Sequence, residues 1–141
     1  MVRRVSNETL FLSCTPGVEV ALCDEVQSLG FACAQERGGV TIVAPMFSYE
    51  VLNLWSRCAS RILLRVALVD HPSKLARVSF APWGRIRSLE VVGQSGRLWR
   101  DAASRAWGPI DDTRGLVDVQ LRVDAGKCSV SVDTSGDLLY L

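Results

Sequence analysis

The hydrophobic period of this chain switches repeatedly between that of a strand and that of a helix, and the order of the switches is the tightest limit on its fold. Residues 10–14 form a short apolar run that reads as a buried strand. Thr15-Pro16-Gly17 then starts a helix, with Pro where no N–H is missed. Val18, Ala21, Leu22, Val26 and Leu29 recur at helical spacing until Gly30 stops them. Segments 31–36 and 40–44 flank Arg37-Gly38-Gly39, a hairpin turn in which glycine accepts positive φ. A second amphipathic helix is predicted over 47–62 and a central strand over 62–69. The first seventy residues therefore read β-α-β-β-α-β, the ferredoxin-like order.

The second half is built from shorter pieces. Residues 73–81 predict a weak helix ended before Pro82, and residues 85–93 a strand around Leu89, Val91 and Val92. Ser95 is placed to cap a helix running to Trp107, with Leu98, Trp99, Ala102, Ala103 and Ala106 as its apolar stripe and Gly108-Pro109 ending it. Val117, Val119, Leu121 and Val123 alternate with Asp118, Gln120, Arg122 and Asp124; after Ala125-Gly126 the alternation resumes through Cys128, Val130 and Val132. That is the clearest hairpin in the sequence, and its exposed alternation, together with the apolar segment 138–141, suggests a covered strand or a partner surface. The expected class is α+β: a ferredoxin-like half, 1–70, fused to a short α/β half, 71–141.

At 141 residues such a chain can bury roughly 68–70% of its unfolded surface without staples. The apolar run 10–14 is too short for a signal segment, and no stretch reaches the ~18 apolar residues of a membrane span, so a cytoplasmic protein without a membrane partner is expected. Five cysteines, Cys14, Cys23, Cys33, Cys58 and Cys128, stand at wide spacings without a Cys-x-x-Cys. That pattern disfavours a disulfide framework and a zinc site, and predicts that most of the five are free thiols buried as small apolar groups. The sole histidine, His71, precedes Pro72 and reads as a loop residue or helix cap. An enzyme built on Cys14, Cys58 or His71 lacks a supporting nucleophile-and-base spacing, and no catalytic residue, metal or cofactor is assigned.

The net charge of +1 conceals a strong segregation. Residues 1–55 carry a net of −3 and residues 106–141 again −3, whereas residues 56–105 hold ten basic side chains against three acidic ones, a net of +7. Nine of those ten are arginine, whose planar fork matches phosphate oxygens and stacks on bases. Arg97–Asp101 and Asp101–Arg105 have the i,i+4 spacing of ordinary helix-surface pairs, and the rest of the block remains in excess. On the predicted 47–62 helix, Val51, Leu54, Trp55, Cys58, Ala59 and Ile62 fall on the buried side. Arg57 and Arg61 fall together on the polar side as a ridge suited to phosphate. Candidate RNA-binding residues are Arg57 and Arg61, with Arg85, Arg87, Arg97 and Arg100 extending the track and Trp83 as a stacking platform. Trp55 and Trp99, on apolar stripes, are expected in the core. Arg65, within an apolar strand, needs a partner for its buried polar atoms.

Several of these segments carry a family resemblance. Leu10-Phe11-Leu12-Ser13, Pro16-Gly17-Val18-Glu19, Leu29-Gly30, Gly38-Gly39-Val40, Leu54-Trp55-Ser56-Arg57 with Ala59-Ser60-Arg61-Ile62, and Asp133 with Ser135-Gly136-Asp137 resemble, in order, the N-terminal THUMP region of bacterial 23S ribosomal RNA guanine-N2 methyltransferases. The resemblance covers nearly the whole chain, with the THUMP match beginning near residue 44. It implies an RNA-binding module, a ferredoxin-like portion joined to a THUMP portion, that delivers rRNA or tRNA to a modifying domain. The chain shows neither the Asn-Pro-Pro-Tyr type motif nor the Gly-x-Gly-x-x-Gly expected of the family's S-adenosylmethionine-binding domain. The expectation is therefore a non-catalytic module that presents RNA in trans to a separately encoded methyltransferase. The alternative is a truncated, non-catalytic remnant acting as a protein scaffold.

Overall fold

The computed structural model describes residues 7–80, 84–110 and 112–135. The chain divides into two compact units, one of residues 1–64 with 134–139 and one of residues 65–133 with 140–141. The division falls inside a strand.

The first unit contains β1 (Asn7–Ser13), α1 (Glu19–Ser28), β2 (Cys33–Glu36), β3 (Gly39–Pro45), α2 (Ser48–Trp55) and the opening residues of β4 (Arg61–Val69). Its strand order is β2-β3-β1-β4. That interleaving, with the first strand between the third and the fourth, is the ferredoxin-like arrangement the element order predicts. β1 and β3 run antiparallel with Leu10 opposite Ile42 and Leu12 opposite Val40. All four side chains are buried with Leu22 and Val26 of α1 and Leu52 of α2. Gly39 cannot be larger, because a Cβ there would run into the carbonyl oxygen of Leu12. Thr134 closes the unit: its N–H and hydroxyl both donate to the Ile62 carbonyl (2.9 and 2.7 Å), and its Oγ1 accepts from Asn53 Nδ2 at 3.1 Å.

Two expectations for this unit are corrected. Cys23 of α1 and Cys33 of β2 are joined in a disulfide, with Cα atoms 6.3 Å apart, where free thiols were expected. Ten residues of sequence gave no sign that a helix and an edge strand would meet there. The second helix also stops at Trp55, seven residues short of its predicted end, because Ser56 turns to extended backbone (φ −77°, ψ 128°).

The second unit takes the rest of β4, a 3₁₀ helix (Pro72–Arg77), β5 (Ile86–Gly93), α3 (Gly96–Trp107), β6 (Val117–Asp124) and β7 (Lys127–Asp133), in strand order β4-β7-β6-β5. β5 and β6 are parallel, as a connection through a helix requires, with Leu89 opposite Val119 and Val91 opposite Leu121. β6 and β7 form the predicted hairpin, turned by Ala125 (φ 52°) and Gly126 (φ 78°), the two left-handed residues of a tight antiparallel turn. Its polar face is partly covered: the cross-strand partners Gln120 and Ser131 are both buried, while Asp118, Arg122 and Ser129 keep part of their surface.

Trp99, Ala102 and Ala103 bury α3, while Leu98, assigned to the same stripe, is 54% exposed. Ser95 does not cap this helix through its side chain and lies instead in the left-handed region (φ 59°). Trp107 ends it, donating from Nε1 to the carbonyls of Leu75 and Val78 (3.1 Å each) and meeting Phe80 edge-on at 4.9 Å. His71 is the cap that the sequence allowed, its Nδ1 accepting from the Ser73 N–H at 3.1 Å. No helix among the described residues is long and apolar enough to cross a membrane.

Candidate nucleic-acid interface

Early termination of α2 takes apart the predicted arginine ridge. Arg57 lies in the turn between α2 and β4, and Arg61 is the exposed first residue of β4, so the two are not one helical turn apart on a common face. The turn is fixed by Glu25 of α1. One oxygen, Oε1, accepts from the Ser56 hydroxyl (2.6 Å), the Arg57 N–H (2.9 Å) and the Cys58 N–H (3.2 Å). Burial would raise the Glu25 carboxyl, but these bonds to its charged form outweigh burial and hold it below its ordinary value. The Arg57 guanidinium is exposed and has no ion-pair partner among the described residues. Nothing in the sequence pointed to Glu25, because its partners lie more than thirty positions away.

The side of α2 expected to be core is its outer face. Val51 is 46% exposed, Leu54 75% and Trp55 62%, and the helix instead buries Leu52 and Ser48. Trp99, the other tryptophan expected inside, is buried.

In the second unit, Arg85 is exposed beside the start of β5, its carbonyl accepting from Leu116 and Val117. Arg87 is engaged by Asp118 of β6 through a fork, Nε to Oδ1 at 3.1 Å and Nη2 to Oδ2 at 2.6 Å, and the Ser88 hydroxyl also donates to Oδ1 at 2.6 Å. Arg97 and Arg100 stand exposed on α3, where Arg100 Nη1 makes only a 3.5 Å contact with the Leu89 carbonyl. The i,i+4 pairs expected of Asp101 do not form; among the described residues Asp101 makes no ion pair with Arg97 or Arg105. α3 therefore shows its arginines uncompensated, a stronger anion surface than the spacing suggested. Trp83 lies outside the described residues. Arg65 Nε is buried without a hydrogen-bond partner, so the partner expected for it is not supplied to that atom.

The groups considered for covalent chemistry are otherwise occupied. Burial raises the thiol pKa of Cys14 and Cys58, with Glu19 and Glu25 respectively adding to it, and pushes Cys128 up to about 11. Thiolates are therefore disfavoured at all three. Among the described residues no three His, Cys, Asp or Glu side chains are grouped to hold a metal ion.

Comparison with known proteins agrees with this architecture. The RlmL ferredoxin-like domain matches residues 9–63. Over 97% of its length the chain is 27% identical to the ribosomal RNA large subunit methyltransferase K/L of Marinobacter nauticus, and it spans 22% of that relative. Among solved structures, a predicted adenine-specific DNA methylase from Listeria monocytogenes superposes with a TM-score of 0.74 at 18% identity, covering 93% of this chain and 41% of the other. A possible methylase from Clostridium difficile gives 0.73 at 21% identity, covering 94% and 42%.

These findings overturn the expectation of a non-catalytic module. The proteins that share this chain's sequence and fold across nearly its whole length are named as methyltransferases and methylases, not as free-standing binding modules. Residues 9–63 of this chain are similar to the RlmL ferredoxin-like domain.

Proposed function

We propose that this chain engages ribosomal RNA for methyl transfer, as the RNA-gripping region of a large-subunit rRNA methyltransferase. The observation that carries the reading is α3, whose Arg97 and Arg100 face outward without a carboxylate partner among the described residues. The name of the M. nauticus relative supplies the substrate class. In this reading the second unit does the work of a THUMP portion. Arg97 and Arg100 bind successive phosphates, Arg85 and Trp83 extend the contact, and Arg57 and Arg61 form a separate phosphate contact on the first unit. Arg87 contributes least, since Asp118 already fills its fork. A cytoplasmic location accords with such a substrate.

Fluorescence anisotropy with fragments of large-subunit rRNA tests the reading. Affinity should fall with salt at about 0.7 log units per log unit for each phosphate neutralised on single-stranded RNA. Arg97→Ala/Arg100→Ala should flatten that slope by about twice that amount, with an unchanged thermal melt. An affinity indifferent to salt, or a slope untouched by the double substitution, would overturn it. Stimulation of a separately encoded methyltransferase by the added chain would identify presentation in trans.

A further inference from the structure

We propose that the cleft between the 3₁₀ helix and α3 seats one unpaired base of the bound RNA, with the phosphate of that nucleotide on Arg105. This rests on the rRNA reading and adds to it the form of RNA required, an unpaired strand. The cleft lies wholly within the second unit and has a volume of about 510 Å³. Cavities that seat small ligands run from about 300 to 1,000 Å³, so a single base has room there and a paired duplex has none. Ala76 of the 3₁₀ helix and Ala102 of α3 leave the space between the two helices unfilled, with Pro72 and Leu98 beside them. Leu98 belongs to the apolar stripe of α3, yet it is 54% exposed and lines this cavity. Apolar walls of this kind take the face of a base, and polar atoms at the rim take its edge and its phosphate.

Two groups supply those polar atoms. His71 Nδ1 accepts from the Ser73 N–H at 3.1 Å and lies 2.8 Å from the Ser73 hydroxyl. A ring nitrogen that accepts a backbone N–H carries no proton, so the proton of the neutral imidazole sits on Nε2. That Nε2–H is a donor at the rim of the cleft, and no described residue accepts from it. Arg105, on the facing helix, is exposed and makes no ion pair among the described residues. The neighbouring charges favour an anion: Asp70, next to His71, is spent on Lys74 at 2.6 Å, and α3 carries Arg97, Arg100 and Arg105 against Asp101 alone. Arg97 stands eight residues before Arg105, about 12 Å along the helix axis, so one short single strand reaches both. An acidic peptide would satisfy the arginines too, but the cleft adjoins the arginine face assigned to rRNA, and that favours a nucleotide.

The probe is a short single-stranded fragment of large-subunit rRNA, titrated by anisotropy as itself, annealed to its complement, and with an abasic nucleotide at each position in turn. The single strand should bind more tightly than the duplex. An abasic nucleotide at one interior position should lower affinity about fivefold or more, the low end of what one seated base contributes. Ala76→Leu, which fills the cleft from an exposed position, and Leu98→Ala should cause the same loss and no longer respond to the abasic site, with salt slope and thermal melt unchanged. His71→Asn keeps an acceptor for the Ser73 N–H and removes Nε2, and should weaken binding severalfold without moving the melt. Arg105→Ala should flatten the salt slope by about 0.7. Affinity unmoved by every abasic position, or by both Ala76→Leu and Leu98→Ala, while Arg97→Ala/Arg100→Ala still flattens the slope, overturns the cleft and keeps the RNA reading. Equal affinity for single strand and duplex does the same. An acidic peptide whose binding is lost in Ala76→Leu, with RNA binding untouched, overturns it in favour of a protein partner. Binding by the unaltered chain that is indifferent to salt overturns the cleft and the RNA reading together.

Discussion

The two units of this chain are both mixed α/β layers, yet they turn opposite kinds of surface to solvent. The first carries a net charge of −2 and shows an apolar helix face; the second holds eleven basic side chains against eight acidic ones, a net of +3, and shows an arginine-bearing helix. The charge block that reads as one continuous basic stretch along the sequence, residues 56–105, is cut by this division, since Arg57 and Arg61 belong to one unit and Arg65 onward to the other. Proximity along a chain is therefore a poor guide to a shared surface. The uncompensated arginines that matter lie on one helix, α3, and the residue expected to back the arginine ridge, Trp55, lies on the outside of another.

The contrast can be broken most severely at two glycines. Gly39→Ala would force a Cβ against the Leu12 carbonyl between β3 and β1, and Gly93→Ala, at φ 108°, would force one against the Val123 carbonyl between β5 and β6. Each should cost about 4 kcal/mol or more, because the clash is with backbone inside a ladder. Residue-resolved hydrogen exchange should show protection lost first in β1 and β3 for the one and in β5 and β6 for the other. Uniform loss across both units in either variant would show that the two ladders open together rather than one at a time.

A middle-sized effect belongs to Glu25. Glu25→Gln should lower stability by about 1–2 kcal/mol at pH 7, since three donors lose a charged acceptor. The folded-state pKa lies below the unfolded one, so this stabilisation is fully present above the ordinary glutamate value and fades as pH falls through the folded value. Denaturant melts of the two proteins should accordingly converge on acidification; a gap that persists at about pH 2 would remove the carboxylate from the account.

The smallest effect separates occupied from available arginines. Asp118→Asn should cost about 1 kcal/mol or less, because the Arg87 pair is partly solvated, its side chains being 31% and 29% exposed. The same change removes the negative charge beside the Arg87 guanidinium and should raise rRNA affinity severalfold at low salt in anisotropy titrations. Unchanged affinity would place Arg87 off the RNA path.

Much of the first unit was legible because its signals are local. The switch from period 2 to period 3.6 marks β1, α1, β2 and β3, and Gly38 at φ 84° supplies the positive φ of the turn the dipeptide announced. The hairpin of β6 and β7 was equally plain, for the same reason. The candidate site was legible only as residue types. The anchoring of the Arg57 turn by Glu25, the occupation of Arg87 by Asp118 and the closure of the first unit by Thr134 on Ile62 all join residues about thirty to seventy positions apart. No local pattern encodes such partners.

The sequence by itself determined the order of elements, the ferredoxin-like topology of the first unit and the richness of its middle third in arginine, because propensity, periodicity and charge are properties of short stretches. Tertiary structure decided which side of α2 faces in, which arginines are spent on carboxylates, that Cys23 meets Cys33 and that Gln120 and Ser131 are covered. An amphipathic pattern fixes the axis along which a helix is divided. Which half turns inward depends on where the neighbouring backbone leaves room, and in a two-turn helix one buried leucine, Leu52, is enough to settle it.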